Sequence, residues 1–197
     1  MNHTEIELKL IADNSTLQNI RRYELFSSCN WQKCILQSTY FDDVNFTLRK
    51  HQAALRIRNN GKQLIQTLKI NVTYTNNLSI HKEYEHILTV DKLNLKKIKQ
   101  YLPANLLELK PIFTTVFTRQ SCEVNFANSV IELALDCGKA ISAKKYDDIC
   151  ELELELIRGN NQDIQHLSDL LRSKFELNPC AISKAARGFR LLELAND

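Results

Sequence analysis

Glycine and proline are scarce, at four and three in 197 residues. That leaves no Gly/Pro-rich linker, and no low-complexity tract stands in for one. No apolar run approaches the roughly 20 residues that a membrane-spanning helix needs. The amino-terminal residues also lack the basic-then-apolar order of a secretory leader. Six cysteines (Cys29, Cys34, Cys122, Cys137, Cys150, Cys180) are scattered without a C-x-x-C pair, which argues against a zinc site. Without a leader, they read as reduced thiols of a cytoplasmic protein. Excess charge is small: 26 Lys and Arg stand against 23 Asp and Glu, a net +3, too little to argue for nucleic acid. The expectation is one domain over residues 1–197, long enough to bury a core, with neither nucleic acid nor membrane as partner.

What is present is a charge alternation. Glu5-Ile6-Glu7-Leu8-Lys9 places three charges on one face of a strand and two apolar residues on the other. Glu83-Tyr84-Glu85 repeats the pattern. Glu151-Leu152-Glu153-Leu154-Glu155-Leu156 repeats it with three acids, and Arg56-Ile57-Arg58 with the opposite sign. Any one of these segments, taken alone, is a surface strand with a solvated face. Several strands with like charges aligned would repel in a simple sheet. They make sense around a wet, charged barrel interior that holds metal ions and a polyanion.

Period-2 and period-3.6 patterns predict a strand over 3–12 and a helix capped by Asp13 or Ser15 running to Ser28. Strands follow over 31–42 and 53–59, with a short helical turn between them at 46–51. Asn60-Gly61 marks a hairpin, and 62–70 returns. Asn71–Ser79 reads as a mobile polar loop, and 81–90 as a strand. Asp91 is expected to cap a helix that ends at Tyr101 before Pro103. Strands are expected at 112–119, 122–128, 129–136 and 148–158, then a helix to about Phe175 and a last one over 183–194. The fold class is α+β: about eight strands joined largely by hairpins form an antiparallel sheet or barrel, with the helices outside it.

Inside such a barrel, Lys9, Arg56, Arg58, Lys69, Arg119, Lys184 and Arg187 supply fixed cations. Arg suits bidentate phosphate contact and Lys gives a point charge. Glu5, Glu7, Glu153 and Glu155 are candidate ligands for Mg²⁺ or Mn²⁺, hard ions that take oxygen donors together with substrate phosphates. Lys184 and Arg187 lie early in the last helix, where positive charge opposes the helix dipole. That placement favours an anion in front of them.

With these residues the chain resembles the CYTH superfamily, the triphosphate tunnel metalloenzymes. The E-x-E-x-K opening is Glu5 to Lys9. The aromatic-Asp stretch and L-R-x-R block are Thr39-Tyr40-Phe41-Asp42 and Leu55-Arg56-Ile57-Arg58. Thr67-Leu68-Lys69, Glu83 with Glu85, Glu153-Leu154-Glu155-Leu156, and Ser183-Lys184-Ala185-Ala186-Arg187-Gly188 follow in family order. The resemblance implies an eight-stranded antiparallel tunnel and a divalent-metal-dependent reaction on a triphosphate. It implies phosphate binding by Lys9, Arg56, Arg58, Lys69, Arg119, Lys184 and, less directly, Arg187. It implies metal binding by Glu5, Glu7, Glu153 and Glu155, with Glu83, Glu85 and Glu132 as supporting acids or water-positioning groups. Glu151 lies near the strand entry, where the same face can fall outside the tunnel. Two positions depart from the family: His81 stands where many members have Arg, and Phe117 where many have Lys. A protonated His81 would lend charge, with phosphate binding weakening above roughly pH 6.5; a neutral, hydrogen-bonded His81 would not.

The resemblance is greatest to the bacterial inorganic triphosphatase branch, which implies hydrolysis of inorganic triphosphate to phosphate and pyrophosphate. Class IV adenylate cyclase, acting on ATP, is the second reading, and thiamine triphosphate hydrolysis a third. From another class comes a non-catalytic binder of polyphosphate or nucleotide, which would not need the acids. A homodimer is considered because barrels of this kind often pair.

Overall fold

The computed structural model describes residues 2–75 and 77–193. Strands β1 (Asn2–Ile11), β2 (Gln32–Asp42), β3 (Ala54–Asn59), β4 (Leu64–Thr75), β5 (Leu78–Leu88), β6 (Lys110–Phe126), β7 (Ser129–Ser142) and β8 (Lys145–Arg158) are joined in the order β5-β4-β3-β2-β6-β7-β8-β1. A β1–β5 pairing closes the ring, and every pairing in it is antiparallel. The two-residue β9 (Asn178–Pro179) adds to β1 beside Leu10 and Ile11. Closure comes from a staggered β1. Its first part, Asn2–Leu8, pairs with β5, and its last part, Glu7–Ile11, pairs with β8. A closed ring leaves no long open edge.

The alternation now has a direction. Leu8, Leu10, Leu152 and Leu154 point outward and are buried beneath α1 (Asn14–Arg21) and α3 (Asn161–Lys174). Those helices present Leu17 and Ile20, and Ile164, Leu167 and Leu171, at helical spacing. Asp13 caps α1 by accepting from the Thr16 N–H, and Asn160 caps α3 by accepting from the Gln162 N–H. A second outer layer packs Leu55, Leu68 and Tyr84 under Ile98. No helix among the described residues is long and apolar enough to cross a membrane.

Several expectations change. The stretch Asn71–Ser79 is not a loop: β4 runs to Thr75 and β5 starts at Leu78, with Asn76 outside the described residues. A bulge between Ile70 and Thr73, with Asn71 at φ 57°, absorbs the polar residues while the ladder continues. The helix expected over 91–101 is two 3₁₀ turns, Leu95–Lys97 and Lys99–Tyr101. Here the buried Gln66 side chain accepts from the Asn94 N–H and donates to the Asn94 carbonyl, pinning the segment before a helix can start. The helix α1 stops at Arg21 instead of Ser28, because Tyr23 and Phe26 turn back to pack edge-on with Phe175 and Trp31. The strands expected at 112–119 and 122–128 are one continuous β6, and β7 runs on from Asp136 to Ser142.

The last helix departs most. α4 (Lys184–Glu193; Leu194 lies outside the described residues) does not pack on the outside of the barrel as α1 and α3 do. It sits against the inward faces of β6, β7 and β8. Leu191 meets Leu36, Phe117, Ala140 and Ile149, and Phe189 meets Tyr40 and Phe113. Gly188 makes the approach possible: a Cβ there would lie 2.1–2.5 Å from atoms of the Phe113 ring. That ring is stacked on Tyr40 at 4.6 Å and edge-on to Phe189 at 5.2 Å, so it has little room to yield. Gly188→Ala should therefore lower the urea midpoint, corresponding to about 1–3 kcal/mol of overpacking, at unchanged m-value. An unshifted midpoint would mean that α4 is not held against Phe113.

Candidate active site

Inside the ring the charges segregate. β5, β1, β8 and β7 form one contiguous arc and contribute Glu83 and Glu85, Glu5 and Glu7, Glu151, Glu153 and Glu155, and Glu132 and Asp136. β4, β3 and β6 contribute Lys69, Arg56 and Arg58, and Arg119 from the opposite arc. Lys9 on β1 is the exception, and Lys184 enters from α4. A cavity of about 540 Å³ lies between the arcs. Its walls include Glu5, Glu7, Lys9, Arg56, Arg58, Lys69, Glu83, Glu85, Arg119, Glu153, Glu155 and Lys184. Of the residues expected at the site, Glu132 and Arg187 do not line it. Glu132 shares the inward face directly opposite Glu155. Arg187 lies behind α4 between Asp147 (3.5 Å) and Glu151 (3.6 Å).

At the α4 end the charges neutralise one another. The Lys184 ammonium lies 2.7 Å from Asp136, 2.6 Å from Glu151 and 2.8 Å from Glu153. Lys9 reaches Glu153 at 3.2 Å. Arg119 holds Asp136 in a bidentate pair, 2.8 and 2.6 Å, and also bonds Glu153. Burial opposes the charge on Glu153, but Lys184, Lys9 and Arg119 together hold its carboxyl well below the usual range. Both Glu153 oxygens are thus engaged by three cationic side chains, whereas both Glu5 oxygens share the single Lys69 ammonium. Asp136 and Glu151 are both fully buried; the sequence reading missed the first and left the place of the second open. The signal for Asp136 was the Glu132-x-Ala134-x-Asp136 alternation, and for Glu151 the shared face with Glu153.

Toward the other arc the balance differs. Glu5 accepts from Lys69 (3.1 and 3.2 Å), which also lies 3.4 Å from Glu83. Glu85 accepts from the Thr67 hydroxyl at 2.9 Å. Arg56 lies 3.6 Å from Glu83, and its buried Nε has no hydrogen-bond partner among the described residues. Arg58 donates to the Ser38 hydroxyl at 3.2 Å and makes no ion pair with a described carboxylate. Burial, then repulsion from Arg56 and Arg119, pulls its guanidinium down to about 10. A guanidinium held in that way is short of negative charge.

The acids beside Glu5 have the converse problem. Burial, then the charges of Glu5 and Glu132, push Glu155 up to about 8. Burial first, with Glu5 adding to it, raises Glu83 as well. Glu155 faces Glu7 across β1–β8, and Glu5, Glu7 and His81 bring donor atoms within 4.8 Å of one another. A carboxyl that keeps its proton for want of counter-charge, as Glu155 does, fits a divalent cation. A pH dependence follows in the metal-free protein. The fold retains the Glu155 proton from the unfolded value of 4.5 up to about 8, so this stabilisation is complete at low pH and is lost as pH rises through 8. Urea unfolding between pH 5 and 9 should show wild type losing on the order of 2–4 kcal/mol more than Glu155→Gln. Parallel profiles for the two proteins would contradict it.

A family model described as the CYTH domain matches residues 3–189. The chain belongs to the CYTH family. It is 33% identical over 192 residues to an inorganic triphosphatase of Haemophilus influenzae. The match covers 95% of this chain and 54% of that protein, so the chain spans about half the length of this relative. Among solved structures, a candidate adenylyl cyclase of Hippeastrum with a dominant triphosphatase activity superposes with a TM-score of 0.67 at 15% identity, covering 94% of this chain and 95% of that one. The PH1819 protein of Pyrococcus horikoshii superposes with a TM-score of 0.57 at 20% identity, covering 98% and 99%. The closed antiparallel barrel of this CYTH chain is thus a fold shared across remote sequences. The charge pattern on its inner face is what the chain's own residues add.

Proposed function

We propose that this CYTH domain hydrolyses inorganic triphosphate to phosphate and pyrophosphate in a divalent-metal-dependent reaction. The observation that carries the reading is the segregation of charge across one cavity, with Glu155 on the acidic arc short of positive charge and Arg58 on the basic arc short of negative charge. A polyphosphate carrying a divalent ion supplies what each wall lacks. The 33% identity to an inorganic triphosphatase supports inorganic triphosphate ahead of ATP.

In this reading Arg56, Arg58, Lys69, Arg119, Lys9 and Lys184 bind and orient the phosphate chain, with Arg56 Nε offering a donor that no described residue takes up and Arg58, bonded through Nε to Ser38, offering its terminal nitrogens. Glu5, Glu7 and Glu155 would hold Mg²⁺ or Mn²⁺. Glu153 joins them only by giving up one of its ion pairs. The ion supplies charge neutralisation at the phosphate oxygens. Glu83 and Glu85, on the same strand and facing the cavity, orient the attacking water, and Glu132 supports Glu155 from the neighbouring strand. Charges fixed by the barrel wall stabilise the transferring phosphoryl group without reorganising. Six free thiols support a reducing, cytoplasmic setting.

Product analysis tests this: purified protein is given inorganic triphosphate or ATP in parallel, with Mg²⁺, Mn²⁺ or excess chelator. The expected outcome is phosphate and pyrophosphate from triphosphate, little change to ATP, and no turnover with chelator. Cyclic AMP and pyrophosphate from ATP would reverse the reading in favour of a cyclase. Binding of triphosphate without turnover would make the domain a binder.

A further inference from the structure

His81 is the one histidine that lines the cavity among the described residues, and its Nε2 is turned to the charged groups there. Its Nε2 lies 2.9 Å from the Lys69 ammonium and 3.1 Å from Glu5 Oε2. If Nε2 carried the proton, it could donate to Glu5 Oε2 at 3.1 Å but would face the ammonium donor to donor at the shorter 2.9 Å. If Nε2 carries the lone pair, one ammonium donates to both His81 and Glu5, and its charge bridges the two acceptors that then face each other. The proton then sits on Nδ1, which faces the Ser79 hydroxyl at 3.5 Å. His81 and Glu5 are therefore two acceptors converging on one cation position, filled by the flexible tip of Lys69. The Glu7 carboxylate lies within reach of the same point, since one donor atom from each of Glu5, Glu7 and His81 falls within 4.8 Å of the others. Ligands on opposite sides of an ion with bonds of about 2.1 Å are about 4.2 Å apart, so small side-chain rotations bring all three onto one ion.

We propose that His81 Nε2 is a direct ligand, with Glu5 and Glu7, of a mixed nitrogen–oxygen metal site that takes a first-row transition ion such as Mn²⁺ or Co²⁺ in preference to Mg²⁺. Mg²⁺ is an oxygen-seeking ion that keeps its waters, whereas an imidazole nitrogen favours the transition series. The Ser79 hydroxyl, 3.5 Å from Nδ1, stands where partners of ligating histidines accept the second ring proton. Lys69, displaced from the position by the ion, becomes free to turn toward the anion in the cavity. This deepens the proposed metal dependence of the site and is independent of which anion is hydrolysed.

The test is pulsed electron paramagnetic resonance of the full chain, stripped by chelation and reloaded with Mn²⁺, together with calorimetric Mn²⁺ and Mg²⁺ affinities. Wild type should show a ¹⁴N coupling to Mn²⁺ that changes when the protein is made with ¹⁵N-histidine. His81→Gln should lose the coupling and weaken Mn²⁺ binding roughly 10–100-fold, with Mg²⁺ affinity changed far less. The isotope-labelled wild type keeps the test decisive if His81→Gln does not fold. Bound Mn²⁺ without nitrogen coupling, a coupling that survives in His81→Gln, or no Mn²⁺ binding at all would each overturn the proposal. Hydrolysis with Mg²⁺ is read separately by product analysis. A nitrogen-coupled ion in a protein that leaves triphosphate intact would uphold the metal site and remove the hydrolase reading.

Discussion

Arg58→Met is expected to make the protein more stable and almost inactive. Arg58 is half-buried beside Arg56 and Arg119, two like charges that, after desolvation itself, pull its guanidinium down to about 10. Its direct hydrogen bond is to the neutral Ser38 hydroxyl, and it also lies 5.9 Å from the Phe117 ring. A methionine keeps the packing of the stem and removes the repulsion. The gain should be about 0.5–2 kcal/mol, the usual scale for relieving a strained functional position, read as a raised urea midpoint. A phosphate group gives Arg58 the counter-charge that the fold withholds. Loss of such a preorganised charge costs about 10²–10³ in rate, or about 2.7–4 kcal/mol. The expected assay result is a kcat/KM for triphosphate lower by that factor. Stability and activity moving in opposite directions distinguishes a ligand-facing cation from a structural one. If the variant were destabilised with activity intact, Arg58 would belong to the scaffold.

Lys184→Met should do the reverse at the α4 end and destabilise the protein by about 3–5 kcal/mol at neutral pH, the cost of stranding buried charge. The ammonium bridges Asp136, Glu151 and Glu153 within 2.8 Å, and the first two are fully buried. Arg119, Lys9 and Arg187 remain nearby but cannot replace a donor placed between all three. The stranded acids would take up protons, so the loss should shrink as pH falls toward 5. Glu151→Gln should restore part of the stability when combined with Lys184→Met, because it removes one of the orphaned charges. Urea unfolding of the single and double variants measures this as a coupling energy. Strict additivity would show that Lys184 and Glu151 do not act as a pair.

The two residues differ in how far a sequence reading could see them. Arg58 belongs to a four-residue block whose alternation is local, so its strand and its shared face with Arg56 are legible without a fold. Lys184 was legible as a cation early in a helix, but not as the centre of an ion cluster. Its partners come from β7 and β8, about 30 to 50 positions away. The same limit hid Asp136 and left the place of Glu151 open. It also explains Asn71–Ser79, whose polar composition reads as a loop until the β4–β5 ladder pairs its backbone, and 91–101, whose helical pattern yields to the buried Gln66 side chain.

Local chemistry in the sequence determined the strands of Glu5–Lys9, Arg56–Arg58 and Glu151–Leu156, the start of α1, and the residue types able to bind a metal-bearing polyphosphate. Alternation sorts side chains into two faces but carries no sign, so it could not say which face looks inward. The β1–β5 pairing decided that. Once the ring closed, the apolar face had to lie under α1 and α3, and the charges were enclosed. Tertiary structure alone also set acids on one arc and bases on the other, brought α4 into the barrel through Gly188, and turned His81 toward Glu5. Each of these depends on strands far apart in the chain becoming neighbours, which no local period encodes.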